Sequence, residues 1–274
     1  MKTTELRSAV MALLADPTSA HGFKVVERES MFVREPCDGW KEGFGIRFLQ
    51  YPPTHLMESS AWIRINEVEE IFHGAIESPA NIRRRSWTFA VEISRLQGRN
   101  TWGDTEPTVE FESDVPRAAK GLSCGFANVA LPFFARVPDL DAANSLVNSK
   151  PAEHLHEISG WLERSSVGLI LAHLNGDPRF DELLRIYTKV MKSKHNRFYL
   201  PQFDAVVAAL AKLRAGSGPA VAKRSVRPKG ETRLVGPQQA LKTPAKPGKG
   251  ARSAKKAHVE RKEKSIQRKK RSGP

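Results

Sequence analysis

The chain has 274 residues, two Cys, and 44 Lys+Arg against 30 Asp+Glu, for a net charge of +14. The charge is not spread evenly: residues 216–274 hold 18 Lys+Arg and three acids, while residues 1–215 hold 26 and 27. An evenly basic globular surface is thereby excluded, and the sequence divides into a near-neutral body and a polycationic tail.

Leu6, Ala9, Val10, Leu13 and Leu14 recur at i, i+3, i+4, i+7 and i+8. That spacing predicts an amphipathic first helix over residues 5–15, with Thr4 as N-cap and Pro17 beyond its end. After Gly22 the period becomes two. Phe44, Ile46 and Phe48 alternate with Gly45, Arg47 and Leu49, and Trp87, Phe89, Val91 and Ile93 alternate with Thr88, Ala90, Glu92 and Ser94. Alternation of this kind predicts half-buried strands. Weaker strand patterns cover residues 24–27 with 31–34, 62–65, 108–112 and 126–131. No helix-length segments separate these runs, so antiparallel pairing is expected.

From Asp139 the period returns to helical. Pro151 suits the first turn of a helix reaching Glu163, and Gly176 can close one over residues 166–175. Asp177-Pro178 suits a cap and first-turn proline for residues 178–193, and Pro201 opens a last helix that Gly216 stops. The fold class is α+β: an N-terminal helix, a mainly antiparallel sheet, a C-terminal helical cap and a disordered basic tail. The expected organisation is a helix-plus-sheet domain at 1–138, a helical region packing on it at 139–215, and the tail at 216–274.

The tail has six Pro, seven Gly and no Phe, Trp or Tyr. It buries too little apolar surface to offset about 1 to 2 kcal/mol of backbone ordering entropy per residue, so it is expected to be disordered alone. Residues 253–271 lack Pro and Gly and place Glu260 and Lys264 at i, i+4, so a polyanionic partner could make them helical. In the body, Cys37 and Cys124 sit in no Cys-x-x-Cys pair and beside no His at ligand spacing. A disulfide framework or zinc site is not expected, and a reducing compartment fits. The N-terminus lacks the apolar stretch and cleavage site of a signal peptide. No window approaches 18 apolar residues, so no transmembrane segment is expected. The expected location is cytoplasmic, with nucleoid or nuclear association through the tail.

Several chemistries can be weighed. Gly121-Leu122-Ser123-Cys124-Gly125 matches the Gly-x-Ser-x-Gly nucleophile elbow, with Asp139 and His154 or His156 following in hydrolase order. The elbow needs a buried strand before it and a helix after it. Here residues 114–120 are polar, and the alternative is a glycine-rich turn entering a strand. His154 and His156, placed on a helix, would point about 200° apart and could not share one ion. Residues 39–45 lack the Gly-Lys-Ser/Thr of a phosphate loop and read as a hairpin connection. A nuclease-type acid-x-Lys pair occurs only at Glu260-x-Lys262, in the tail. Glu110, Glu112 and Asp114 would line one strand face, able to hold a cation, face solvent or dock the basic tail.

Two basic clusters lie in the body. Lys189, Lys192, Lys194, His195 and Arg197 close a helix, where the dipole favours cations. Arg83, Arg84 and Arg85 precede Trp87, a combination that can grip phosphate and stack on a base, or simply occupy a surface loop between strands. No catalytic residue, metal or cofactor is assigned.

The strongest functional signal is the tail. Its cations fall in small groups: Lys223, Arg224, Arg227 and Lys229; Lys242, Lys246 and Lys249; Lys255 and Lys256; Arg261 and Lys262; and Arg268, Lys269, Lys270 and Arg271. Contacts from roughly 6 to 10 of them to phosphates would make duplex affinity fall about 10³ to 10⁵-fold between 50 and 200 mM salt, without sequence preference. Residues 242–257 resemble the Lys-Pro-Ala-rich tails of linker-histone-like bacterial nucleoid proteins, which implies a tendency to coat nucleic acid. The body, with its first helix, its Gly22-Phe23 break and its strands up to Ile93, resembles a family of uncharacterised bacterial helix-plus-sheet domains found near toxin and immunity genes. That resemblance implies a non-enzymatic bacterial binding module and carries over no site. The expected function is a non-catalytic module whose tail attaches to nucleic acid or another polyanion. The alternatives are an immunity- or adaptor-type domain that binds a protein on its sheet face, and an enzyme with an unrecognised site.

Overall fold

The structure is a computed structural model that describes residues 1–98, 107–193 and 196–216. Helix α1 (Thr3–Ser19) buries Leu6, Val10 and Leu14 of the predicted stripe and Met11 besides, while Ala9 is half-buried and Leu13 is 49% exposed. Its N-cap is Lys2, whose backbone N–H donates to the Glu5 carboxylate at 2.9 Å. An acid in the first turn also suits the helix dipole. Pro17 lies inside the last turn and not beyond the helix end, so the helix continues through a residue that has no N–H to donate.

The sheet follows. Strands β1 (Lys24–Val26), β2 (Met31–Cys37), β3 (Trp40–Tyr51), β4 (Thr54–Ile65) and β5 (Phe89–Glu92) pair in sequence order, all antiparallel. A two-residue strand β6 (Thr108–Val109) joins β4 beyond the end of β5. Strands β3 and β4 form one long hairpin, in register from Trp40 opposite Ile65 to Tyr51 opposite Thr54. Strand β2 covers β3 only as far as Gly45, so among the described residues no strand pairs the outer edge of β3 from Arg47 to Tyr51.

The pairing register fixes two faces, because directly opposed residues in a ladder share a face. Phe32, Phe44, Ala61 and Val91 form one row across four strands, and all four are buried. This is the core face. The neighbouring rows, Met31–Gly45–Ser60–Glu92 and Val33–Gly43–Trp62–Ala90, lie on the outer face.

Helices α2 (Asn66–Ala75) and α3 (Ala80–Arg85) intervene between β4 and β5, and the short α4 (Ile93–Leu96) follows β5 directly. Helix α5 (Val115–Gly125) runs through a π-helical turn, Phe126–Ala130, into α6 (Leu131–Arg136). Residues 126–131 are therefore helical and not the expected strand. The reason lies in the spacing: Leu122, Phe126, Ala130, Phe133 and Phe134 are buried at helical intervals, and Pro132 falls directly after the π-helical turn, where the irregular hydrogen-bond ladder accommodates its missing N–H. Phe126 meets Phe23 and Phe44 edge-on at 5.2 and 5.3 Å, which docks this helical run on the core face.

Helix α7 (Leu140–Asn148) is capped by Asp139, which accepts from the Ala142 N–H at 2.8 Å. The helix expected from Pro151 begins instead at Trp161: residues 151–160 are turns, and α8 (Trp161–Leu174) is buried almost all round from Leu162 to Ala172. Helices α9 (Phe180–Met191) and α10 (Leu200–Gly216) pack against it. One hydrophobic cluster includes Leu6 of α1, the sheet and Leu210 of α10. Among the described residues no helix is long and apolar enough to cross a membrane.

Candidate functional site

The outer face of the sheet carries two tryptophans above two glycines. A Cβ at Gly43 would stand 3.0 Å from the Trp87 ring and 3.1 Å from the Met31 sulfur, and one at Gly45 would stand 3.4 Å from the Trp62 ring. Glycine at i and i+2 on one strand face is what lets aromatic rings lie directly on the backbone. Residues 39–45 are thus not a hairpin connection throughout. The turn is confined to Asp38 and Gly39, and Gly43 and Gly45 belong to β3.

Trp62 and Trp87 meet edge-to-face with centroids 5.2 Å apart, and both remain half-buried. The position of Trp87 is fixed from both sides. Arg64, itself buried, donates through Nη1 to the Ser86 carbonyl at 2.7 Å and to the Ser86 hydroxyl at 2.9 Å, and through Nε to Asn66 at 2.7 Å. On the other side Thr88 accepts from the Ile65 N–H at 3.0 Å and donates to Glu69 at 2.8 Å. Burial pushes the Glu69 carboxyl up, but hydrogen bonds from His73, Ser86 and Thr88 outweigh it and hold it below its ordinary range. His73 in turn lies 3.3 Å from Glu69 through Nε2 and 2.8 Å from the Ser78 hydroxyl through Nδ1. This buried chain of polar contacts ties α2 to the strand ends that carry the tryptophans.

Beside Trp62 lies a groove of about 530 Å³ whose lining includes Ile46, Arg47 and Phe48 of β3. Gly45, Ser60, Trp62 and Ala90 contribute its floor side, and Arg7, Arg28 and Arg47 reach it from α1, from the turn before β2 and from β3. Its acids are already engaged. Glu92 holds Arg95 at 2.9 Å, Glu29 lies 4.0 Å from Arg85, and Glu58 next to the groove accepts from Arg47 Nε at 2.6 Å. Arg7 and Arg28 enter no ion pair among the described residues. Arg7 stands 5.9 Å from the Phe48 ring, and its Nε has no hydrogen-bond partner there. Among the described residues, counting each ion-paired neighbour, five arginines meet three carboxylates around Trp62.

The sequence-derived cluster is only partly gathered here. Arg83, Arg84 and Arg85 form the last turn of α3 and not a surface loop between strands. Arg84 donates to its own helix at Ala80, Arg83 reaches the Ser78 carbonyl at 3.5 Å, and Arg85 alone approaches the groove wall at Glu29. Trp87 is brought to the site by Trp62, which sequence reasoning did not single out. The tail cations, Lys223 through Arg271, lie outside the described residues, as do Lys194 and His195.

Other expectations are corrected. Ser123 sits inside α5, with helix on both sides, so the strand–turn–helix geometry of a nucleophile elbow is absent, and so is the alternative turn entering a strand. His154 and His156 are in the turns before α8 with rings 5.4 Å apart, not on a helix. The acidic strand face is not formed: β6 ends at Val109, and Glu112–Asp114 is a short 3₁₀ turn. Asp114 accepts from the N–H groups of Phe111 and Glu110 at 3.0 and 3.1 Å, which holds its carboxyl below the ordinary range. No family model, curated protein or solved structure matches the chain.

Proposed function

We propose that the protein is a non-catalytic, cytoplasmic module that binds nucleic acid or a related polyanion through two contacts, the outer-face groove and the basic tail. The observation that supports the body's share is the surplus of arginine around Trp62: among the described residues the nearby carboxylates have other partners, and Arg7 and Arg28 enter no ion pair. The tail's share is supported by its 18 cations against three acids. The body is near neutral as a whole, so its attraction is local and the tail supplies the long-range part.

The test compares the whole chain with one ended after Gly216, which keeps every described element. Binding to DNA, RNA and inorganic polyphosphate is measured between 50 and 200 mM salt. The whole chain is expected to show a steep salt slope that flattens markedly on truncation, with residual binding that Arg28→Ala weakens further. Affinity unaffected by both changes would overturn the proposal. A second reading places a protein partner on the same face, favoured by the half-buried Trp62–Trp87 pair beside exposed Ala90. It predicts binding that tolerates salt and depends on the tryptophans.

A further inference from the structure

We infer that the groove beside Trp62 receives one unpaired nucleobase of a single strand, with the phosphates on either side of that base held by Arg7 and Arg28. The inference rests on the polyanion reading and narrows it from backbone charge to the base itself. Three features carry it.

The first is size. A volume of about 530 Å³ lies within the usual range of roughly 300 to 1,000 Å³ for small-ligand sites, enough for one nucleotide, whereas a duplex keeps each base stacked between its neighbours and could present only its backbone. The second is the kind of surface. Trp62 is half-buried and lines the groove, and Gly45 beneath it leaves the ring resting on backbone, so its plane is set before any ligand arrives. A preset aromatic plane loses little freedom on stacking with a base, and stacking tolerates every base because each has a π-face. The third is charge placement. Arg28 comes from the turn before β2 and Arg7 from α1, on elements different from the one that carries Trp62, and among the described residues neither is paired with a carboxylate. Cations converging from separate elements on one aromatic ring match the alternation of phosphate and base along a strand. The Ser60 hydroxyl and the Glu92 carboxylate, the latter anchored by Arg95, add polar groups that a base edge can meet.

The experiment uses the whole chain and labelled strands of equal length: oligothymidylate, oligouridylate, an abasic strand with the same phosphates, and a duplex of the same phosphate count. Inorganic polyphosphate is the competitor. Both base-bearing single strands are expected to bind more tightly than the abasic strand and to quench tryptophan fluorescence. Trp62→Ala is expected to weaken their binding about 5- to 150-fold, the loss of one stacked base, while leaving the abasic strand and polyphosphate unchanged. Trp62→Phe keeps a ring on the same floor and is expected to recover most of the affinity, which separates lost stacking from a damaged fold. Equal binding of abasic and base-bearing strands, or Trp62→Ala indistinguishable from the natural chain, overturns the base site and leaves the polyanion reading standing. Failure of polyphosphate and of every strand to bind at low salt overturns both.

Discussion

Gly168 shows how a single absent side chain organises the helical half of the protein. A Cβ there would fall 2.4 Å from the Tyr187 hydroxyl and 2.8 Å from Asn148 Oδ1. Those two atoms are bonded to each other at 2.6 Å, and Asn148 Nδ2 also donates to the Gly168 carbonyl at 2.9 Å and to Asn144 at 2.6 Å. Tyr187 is fully buried, and burial pushes its hydroxyl up to about 12. Gly168→Ala is therefore expected to destabilise the fold by about 3 kcal/mol in urea unfolding, combining overpacking with a disturbed buried hydrogen bond. In a Tyr187→Phe background the cost of the same substitution should shrink, since the closest clashing atom is gone, and a non-additive double-mutant cycle is the check. The same lesson applies at the outer face. Gly43 and Gly45 carried a legible signal, two glycines on one face of an alternating strand, but that signal says only that something lies close. Which ring fills the space depends on the register of the β3–β4 hairpin and on the approach to β5, which the alternation within β3 does not fix.

At the scale of elements, those whose apolar period was clean were legible: the stripe of α1 and the alternation of Phe44, Ile46 and Phe48 both reappear in the structure. The α5–α6 run was not, because a short apolar segment fits either period and Pro132 looked like a breaker although the chain stays helical through it. Asp177-Pro178 marked the approach to α9 and not its cap and first turn, since the helix starts at Phe180 with Arg179 as N-cap, and the chemistry of Asp177 gives a pH prediction. Asp177 accepts from Arg179 and from Asn144 of α7 at 2.8 Å each, and also from the Arg179 N–H at 2.9 Å. Its bond to Arg179 is the main cause that lowers its carboxyl from 3.8 to about 2. A group depressed in the folded state contributes stability that is fully present above the unfolded value and lost as pH falls. Unfolding free energy should thus decline between about pH 4 and pH 2, and Asp177→Asn should flatten that limb by lowering stability at neutral pH, where the contribution is fully present, and changing little near pH 2; an unchanged acid limb in the variant counts against this role.

For the whole molecule, the charge split between body and tail was legible by counting, and the α+β architecture followed from the order of periods. The groove was not, because it depends on which arginines remain unspent. Composition makes the body almost neutral, yet Arg34 is taken by Glu42, Arg136 by Glu157 and Arg179 by Asp177, while Arg7 and Arg28 are left facing a cavity. Pairing is a property of three-dimensional neighbours, and no sum over the sequence reveals it.

From Arg47 to Tyr51 the outer rim of β3 offers backbone donors and acceptors that another copy of the chain could zip onto, a recognised route to aggregation. The charge of Arg47 and the nearby side chain of Arg7 stand guard over that rim, and both also line the groove. Whatever fills the groove should then protect the strand as well. Heat-induced turbidity of the full chain is expected to be delayed by saturating oligothymidylate, and Trp62→Ala should forfeit most of that delay; equal delay in both proteins would show that the rim and the groove are uncoupled.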